Sequence, residues 1–185
     1  MPADGSERIS FRPLALDDLR LVQRWLAEPH VARWWRSSAT EEHVRAEYEP
    51  CIAGTDPTEV FVIELDEAPI GLIQRYLLAD YPDWARALGI AEGAGIDYLI
   101  GEGRFTGTGI GTRCIRAFTQ HVFERYPEAP LVTADPQQDN AASWRALEKA
   151  GFERVFAGQL ESDHPSDSGP RVRLRNEAAG ARMEA

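Results

Sequence analysis

Residues 95–112 read G-I-D-Y-L-I-G-E-G-R-F-T-G-T-G-I-G-T, and three local patterns succeed one another in them. The run 96–100 is apolar apart from Asp97 and reads as a buried strand. A glycine-dense turn follows, with Gly101, Gly103, Gly107, Gly109 and Gly111. Then Ile110, Cys114, Ile115, Phe118 and Val122 recur at helical spacing, which predicts a helix from near Gly109 to about Arg125. A strand feeding a glycine-rich turn that opens a helix is a phosphate cradle. Glycines let the backbone approach closely and take positive φ. The first N–H groups of the helix lack partners within it and carry the positive end of its dipole.

Length and composition bound what surrounds this stretch. A chain of 185 residues predicts one domain, over residues 1–176, with a flexible tail over 177–185. The formal charge of −10 argues against nucleic acid, whose phosphates would be repelled, and favours a cationic partner. Acidity that serves only to keep the chain dispersed is the plainer alternative. No run approaches the ~18 apolar residues of a membrane helix, and no membrane partner is expected. The polar start of the chain shows no secretory pattern. Two cysteines, Cys51 and Cys114, are too few for a disulfide framework, and Cys114 reads as a core residue. A reducing, cytoplasmic setting is the expectation.

Outward from the glycine turn, residues 9–14 read as a short strand. Asp17 or Asp18 is expected to cap a helix whose apolar positions are Leu19, Val22, Trp25 and Leu26, with Pro29 ending it. The doubled Trp34 and Trp35 fall just outside that helix. A second helix starts at Ser38 or Thr40 and closes at Pro50 and Gly54. Residues 60–65 and 70–78 read as a hairpin about 66–69, with Gly71 marking a bulge. Residues 79–93 read as a long polar connection carrying Asp83 and Trp84, of a length often functional. After the central helix, 131–134 is a short strand. A helix follows over 141–150, closed by Gly151, and 152–160 and 171–175 are a last pair of strands around a polar loop at 161–169. The fold class is therefore α/β with a mixed sheet.

Neither common nucleotide loop fits the turn, because no Lys follows its last glycine and a third glycine arrives too early for G-x-G-x-x-G. Arg104-x-x-Gly107-x-Gly109 does fit. It resembles the acetyl-coenzyme A pyrophosphate loop of the GNAT superfamily of N-acetyltransferases, [QR]-x-x-G-x-[GA]. For the loop alone, an ordinary strand-to-helix turn is the alternative. Residues 134–153, A-D-P-Q-Q-D-N-A-A-S-W-R-A-L-E-K-A-G-F-E, look like the second family motif, in which a strand leads to an Asn, then to a helix closing on [EK]-K-[AL]-G-F. The element order also matches. The resemblance implies a GNAT fold, a mixed central sheet of about six to seven strands flanked by about four helices. It also implies acetyl-CoA as co-substrate. Leu99 and Ile100 would present strand-edge groups to the pantetheine amide. The N–H groups of Thr106, Gly107, Thr108, Gly109, Ile110, Gly111 and Thr112 would take the pyrophosphate. Arg104 or Arg113 would add charge, and Asn140 would contact the pantetheine arm or serve only as an N-cap.

Asp97 lies between Ile96 and Tyr98 in an otherwise apolar strand. An ionised carboxylate in a core costs several kcal/mol unless paired or solvated, so it is expected to face a polar cavity. That suits a general base acting on an amine directly or through one water, and also an electrostatic anchor for an ammonium, a structural carboxylate satisfied by backbone donors being the alternative. Within the superfamily the chain is most similar to the aminoglycoside 6′-N-acetyltransferases. The likeness rests on G-I-D-x-x-I-G-E at 95–102, on Trp34-Trp35, on Asp83 and Trp84 ahead of the strand, and on Asp135 opening D-P-x-x-x-N. It implies a polycationic substrate met by carboxylates (Asp83, Asp97, Asp135) and by aromatic walls (Trp34, Trp35, Trp84). Core packing is the alternative for the tryptophans, above all for Trp35.

One position departs from the family. The final helix often carries a Tyr as general acid, and Leu147 stands there. Either another hydroxyl serves, or the thiolate leaves unassisted and is protonated by solvent, for which a coenzyme A thiol is acidic enough. The competing expectations are a siderophore-assembly N-acyltransferase acting on a hydroxylysine-like amine, whose members typically have His in place of Asp97, and a non-catalytic acetyl-CoA or drug-binding protein. The expected assembly is a monomer or homodimer.

Overall fold

The computed structural model describes residues 7–161 and 168–178. Among them the order is β1 (Ile9–Pro13), α1 (Leu19–Ala27), α2 (Pro29–Trp35), α3 (Glu41–Ala53), β2 (Glu59–Leu65), β3 (Ala68–Leu77) and α4 (Pro82–Leu88), then β4 (Ala94–Ile100), α5 (Ile110–Arg125), β5 (Leu131–Ala134), α6 (Ala141–Ala150), β6 (Glu153–Leu160) and β7 (Gly169–Glu177). The strands form one mixed seven-stranded sheet in the order β1-β2-β3-β4-β5-β7-β6. The α/β class and mixed sheet agree with expectation. Six helices replace the expected four, because two seven-residue helices sit in segments read as irregular.

The first is α2. Pro29 starts it instead of merely ending α1, since a proline at the first helical position gives up an N–H that had no intrahelical partner. Trp34 and Trp35 therefore lie in the last turn of a helix, not outside one. The second is α4, inside the expected polar connection. Pro82 opens it and Gly89, at φ 65°, closes it. Helix α3 likewise runs through Pro50 to Ala53. Its end is closed by Gly54 at φ 71° and by Thr55 and Asp56 amides bonding back to the Pro50 carbonyl. Thr40 caps α3 through His43 N–H. Asp18, expected as a cap, instead accepts from the Ala15 amide and from both terminal nitrogens of Arg12. It thereby closes a 3-10 turn ahead of α1.

The chain forms two compact units. One comprises the described residues through Arg75 with Asp97–Cys114. Its hairpin turns on Asp66 and Glu67, both at positive φ (49° and 67°), the conformation that matches strand twist. Ile63 pairs with Gly71 but Glu64 with Pro69, so Ile70 is an extra bulge residue beside Gly71. A Cβ on Gly71 would lie 2.1 Å from the Leu99 carbonyl oxygen, so glycine is what lets β3 and β4 approach. Trp25, Val22 and Leu26 of α1 and Val44 and Tyr48 of α3 bury against Val60, Val62, Leu72 and Leu99.

The other unit comprises Tyr76–Ile96 and the described residues from Ile115 onward. Phe118, Ile115 and Val122 of α5 are fully buried, as the helical spacing predicts. β5 pairs in parallel with Ala94 and Gly95 of β4 and antiparallel with β7. Gly151, at φ 104°, closes α6 with its N–H on the Glu148 carbonyl. The expected loop at 161–169 falls largely on 162–167, outside the described residues. Of the expected tail, Glu177 is the last residue of β7 and 179–185 lie outside the described residues. Among the described residues no helix is long and apolar enough to cross a membrane.

Candidate active site

In the first unit β4 carries Asp97 as a half-buried carboxylate. Gln74 of β3 donates its amide N–H to Asp97 Oδ2 at 3.1 Å. Sequence reasoning singled out Asp97 and missed Gln74. Its one signal was a polar residue in the run 70–78, and pairing it with β4 requires a strand register that spacing does not supply. Further along β4, Leu99 buries its side chain in the core and turns its carbonyl to β3 at Gly71. The Ile100 carbonyl accepts a hydrogen bond from His30 Nε2 of α2 at 2.9 Å.

The glycine turn then runs outward. Gly103–Phe105 is a 3-10 turn. Thr106 Oγ1 donates to the Gly103 carbonyl and Thr108 Oγ1 to the Phe105 carbonyl, each at 2.7 Å, so both hydroxyls hold the loop's own shape. Gly107 at φ 73° and Gly109 at φ 92° have nothing within 4 Å of a built Cβ, so positive φ alone demands glycine there. Helix α5 begins at Ile110, whose side chain is buried. The first-turn amides of Ile110, Gly111 and Thr112 supply partial positive charge at that end. Arg104 is exposed, with its guanidinium 4.7 Å from the Phe105 ring centroid. Arg113 is already engaged, donating to the Glu7 carbonyl at 2.6 Å and to the Glu7 carboxylate at 3.3 Å.

The two tryptophans of α2 differ. Trp34 is half-buried, with the Arg33 guanidinium 4.6 Å from its ring centroid. Trp35 packs on the core cluster that contains Tyr48. Burial pushes the Tyr48 phenol well above its ordinary pKa, and the Glu47 charge adds to that.

The second unit carries the other candidates. Asp83 is exposed in the first turn of α4 and paired with Arg86 at 2.8 Å. Trp84 is half-buried and donates its indole N–H to the Tyr76 hydroxyl at 3.2 Å, and Tyr76 meets Tyr81 edge-on. A Cβ on Gly95 would lie 2.3 Å from the Tyr76 ring, so that tyrosine presses on the strand that carries Asp97 two residues later. Asp135, expected to help meet a substrate cation, is largely enclosed. Its side chain is only 6% exposed and ion-pairs with Arg173 Nε at 3.2 Å, with Thr133 Oγ1 at 3.3 Å. Its charge is thus largely balanced inside the protein. Asn140 caps α6, its Oδ1 accepting from Ser143 N–H at 3.3 Å. Leu147 is fully buried and offers no proton. A cavity of about 370 Å³ opens in the first unit, lined by Leu16, Asp17, Arg20 and Arg45 among others, and none of the candidate residues lines it.

Comparison with known proteins gives the family. The family profile described as an acetyltransferase (GNAT) domain matches residues 15–160. Aminoglycoside N(6′)-acetyltransferase type 1 of Klebsiella pneumoniae is 28% identical over 155 residues, covering 82% of this chain and 77% of that protein. Lysine N-acyltransferase MbtK of Mycobacterium tuberculosis is 27% identical over 161 residues, covering 82% of this chain and 71% of that protein. The crystal structure of the aminoglycoside acetyltransferase AAC(6′)-Ib in complex with coenzyme A and kanamycin superposes with a TM-score of 0.75 at 28% identity, covering 96% of this chain and all of that one. The glycine turn at the start of α5, the α6 helix capped by Asn140, and a profile match over most of the chain agree: this protein belongs to the GNAT acetyltransferase family.

Proposed function

We propose that this protein is an acetyl-CoA-dependent aminoglycoside N-acetyltransferase, acting in the cytoplasm and conferring resistance by acetylating the 6′-amine. The observation that carries the reading is Asp97, a half-buried carboxylate on the strand that runs directly into a turn with left-handed Gly107 and Gly109. The aminoglycoside acetyltransferase relatives over most of the chain support it.

The residues fit the co-substrate. The turn from Thr106 to Thr112 offers glycine backbone and first-turn amides of α5 to a pyrophosphate. Arg104 adds the local cation. In the first unit the ring-bearing cation of the substrate is met by Asp97, held by Gln74, and by half-buried Trp34; in the second unit the exposed Asp83 and half-buried Trp84 are the candidates that the aminoglycoside likeness names. Asp135 acts at one remove in this reading, since Arg173 already balances it. Trp35 contributes packing.

For chemistry, the Asp97 carboxylate takes one proton from the substrate ammonium, directly or through a water. The neutral nitrogen then forms a bond to the thioester carbonyl carbon. The C–S bond breaks, the thiolate leaves with its electron pair and takes a proton from solvent, and the nitrogen releases its second proton to solvent to leave the neutral amide. Proton transfer by a positioned carboxylate contributes about 10²–10⁴-fold to the rate. With Leu147 buried, thiolate departure rests on its own acidity.

The MbtK match favours a second reading, N-acylation of a lysine-derived amine. Free-thiol release from acetyl-CoA against kanamycin, gentamicin, kasugamycin, hydroxylysine and a short peptide separates the two. Release with an aminoglycoside and not with hydroxylysine is expected. Release with hydroxylysine alone would overturn the aminoglycoside reading.

A further inference from the structure

β4 leaves the sheet through Ile100, Gly101 and Glu102, and the first unit grips these residues from several sides. From β3, the Ile70 carbonyl accepts both the Gly101 and the Glu102 amides, at 2.8 and 3.1 Å. From α2, His30 Nε2–H donates to the Ile100 carbonyl at 2.9 Å, and its ring lies 3.5 Å from where a Cβ on Gly103 would stand. From α1, the indole of Trp25 lies flat against Gly101, where a Cβ would come within 2.1 Å of the ring. The same indole N–H donates to Glu102 Oε1 at 2.9 Å, and Arg24 Nη2 donates to that oxygen at 2.5 Å. Trp25 is 1% exposed, so its N–H direction is set by the core.

A carboxylate at this place is unexpected on electrostatic grounds. Glu102 lies four residues before Thr106, where the turn assigned to the pyrophosphate begins, and like charges brought near each other repel. Arg24 balances that charge, and the Trp25 N–H fixes where it sits. What remains is a rigid anchor. With Glu102 tied to a buried indole and Gly101 pressed on its ring, the 3-10 turn Gly103–Phe105 starts from a fixed point. Its position sets where the Thr106–Gly109 amides aim. Preorganised donors bind an anion more tightly than mobile ones, because less ordering is needed on binding.

We propose that Glu102 is a positioning residue for the pyrophosphate half of acetyl-CoA, acting through Trp25 and Arg24. This rests on the coenzyme reading above. Titration calorimetry tests it without any amine substrate, using coenzyme A and pantetheine, which lacks the pyrophosphate. Glu102→Ala should weaken coenzyme A by about tenfold, the size of one lost charge-assisted hydrogen bond. The coenzyme A-to-pantetheine affinity ratio should fall with it. Glu102→Gln, which keeps an oxygen for the Trp25 indole, should recover most of the loss. A matched thermal melt confirms that each variant is folded. An unchanged coenzyme A affinity in folded Glu102→Ala, or an equal loss for both ligands, would overturn the proposal. Wild-type protein that binds no coenzyme A would overturn the coenzyme reading as well.

Discussion

Asp97 is the residue we propose as the base, and the strand explains why it is tolerated. It is half-buried rather than enclosed, and Gln74 donates to one of its oxygens. Asp97→Asn should lower turnover by about 10²–10⁴-fold while coenzyme A affinity, read by calorimetry, stays put. Turnover within twofold of wild type would remove it as base. The cysteines give a second residue-scale expectation. Burial pushes the Cys114 thiol up to about 12 and the Cys51 thiol to about 11. Thiolate, not thiol, reacts, so at pH 8 a disulfide reagent should label the folded protein slowly and both cysteines at once on unfolding. A fast-reacting thiol in the folded protein would contradict that burial. Asp97 could be singled out from the sequence because a charge inside an apolar run demands a reason. Gln74, Glu102 and Arg173 could not, because each acts through a partner brought near only by the fold.

At the scale of elements, the glycine turn separates two uses of glycine. Gly107 needs a left-handed backbone but has open space, so Gly107→Ala should cost about 1–2 kcal/mol. Gly101 has ordinary φ but no space against Trp25, so Gly101→Ala should cost at least as much, through overpacking of about 1–3 kcal/mol. Coenzyme A affinity should drop in both. Denaturant melts check the costs, and a Gly101→Ala protein as stable as wild type would contradict the close contact. The 3-10 turn ahead of α1 carries a pH signature. The Arg12 guanidinium holds the Asp18 carboxyl below its ordinary value, and the Ala15 amide adds to this. A depressed folded value means the stabilisation is present above the ordinary carboxylate pKa, about 3.9, and is lost as pH falls through the lower folded value. The melting-temperature gap between wild type and Arg12→Ala should therefore be constant near neutrality and close in acid. A gap that persists unchanged into acid would refute this. The central strand, α5 and α6 were readable because their apolar runs are long and glycines mark their ends, and β5 because Pro127 and Pro130 break the chain ahead of it. Helices α2 and α4 were not. Each is seven residues long and opens on a proline, which reads in sequence as a stop before it reads as a first position.

For the whole molecule, the α/β class and mixed sheet were legible from element order, whereas the chain's division into two compact units was not, because β3, β4 and α5 each contribute residues to both. Spacing along the chain reports local periods and is blind to which half of a strand packs with which core. The overall negative charge agrees with a cationic substrate, and at this scale it predicts a salt-sensitive encounter: the apparent KM for the aminoglycoside should rise with ionic strength as charges are screened. A salt-independent KM would argue against electrostatic capture. In the proposed function the acetyl group goes to an aminoglycoside amine. The most direct test is to incubate the protein with acetyl-CoA, kanamycin and hydroxylysine in one mixture and to identify the acetylated product by mass spectrometry and NMR. Singly acetylated kanamycin carrying the group on its 6′-nitrogen, beside untouched hydroxylysine, is the predicted result. Acetylated hydroxylysine beside untouched kanamycin would contradict it.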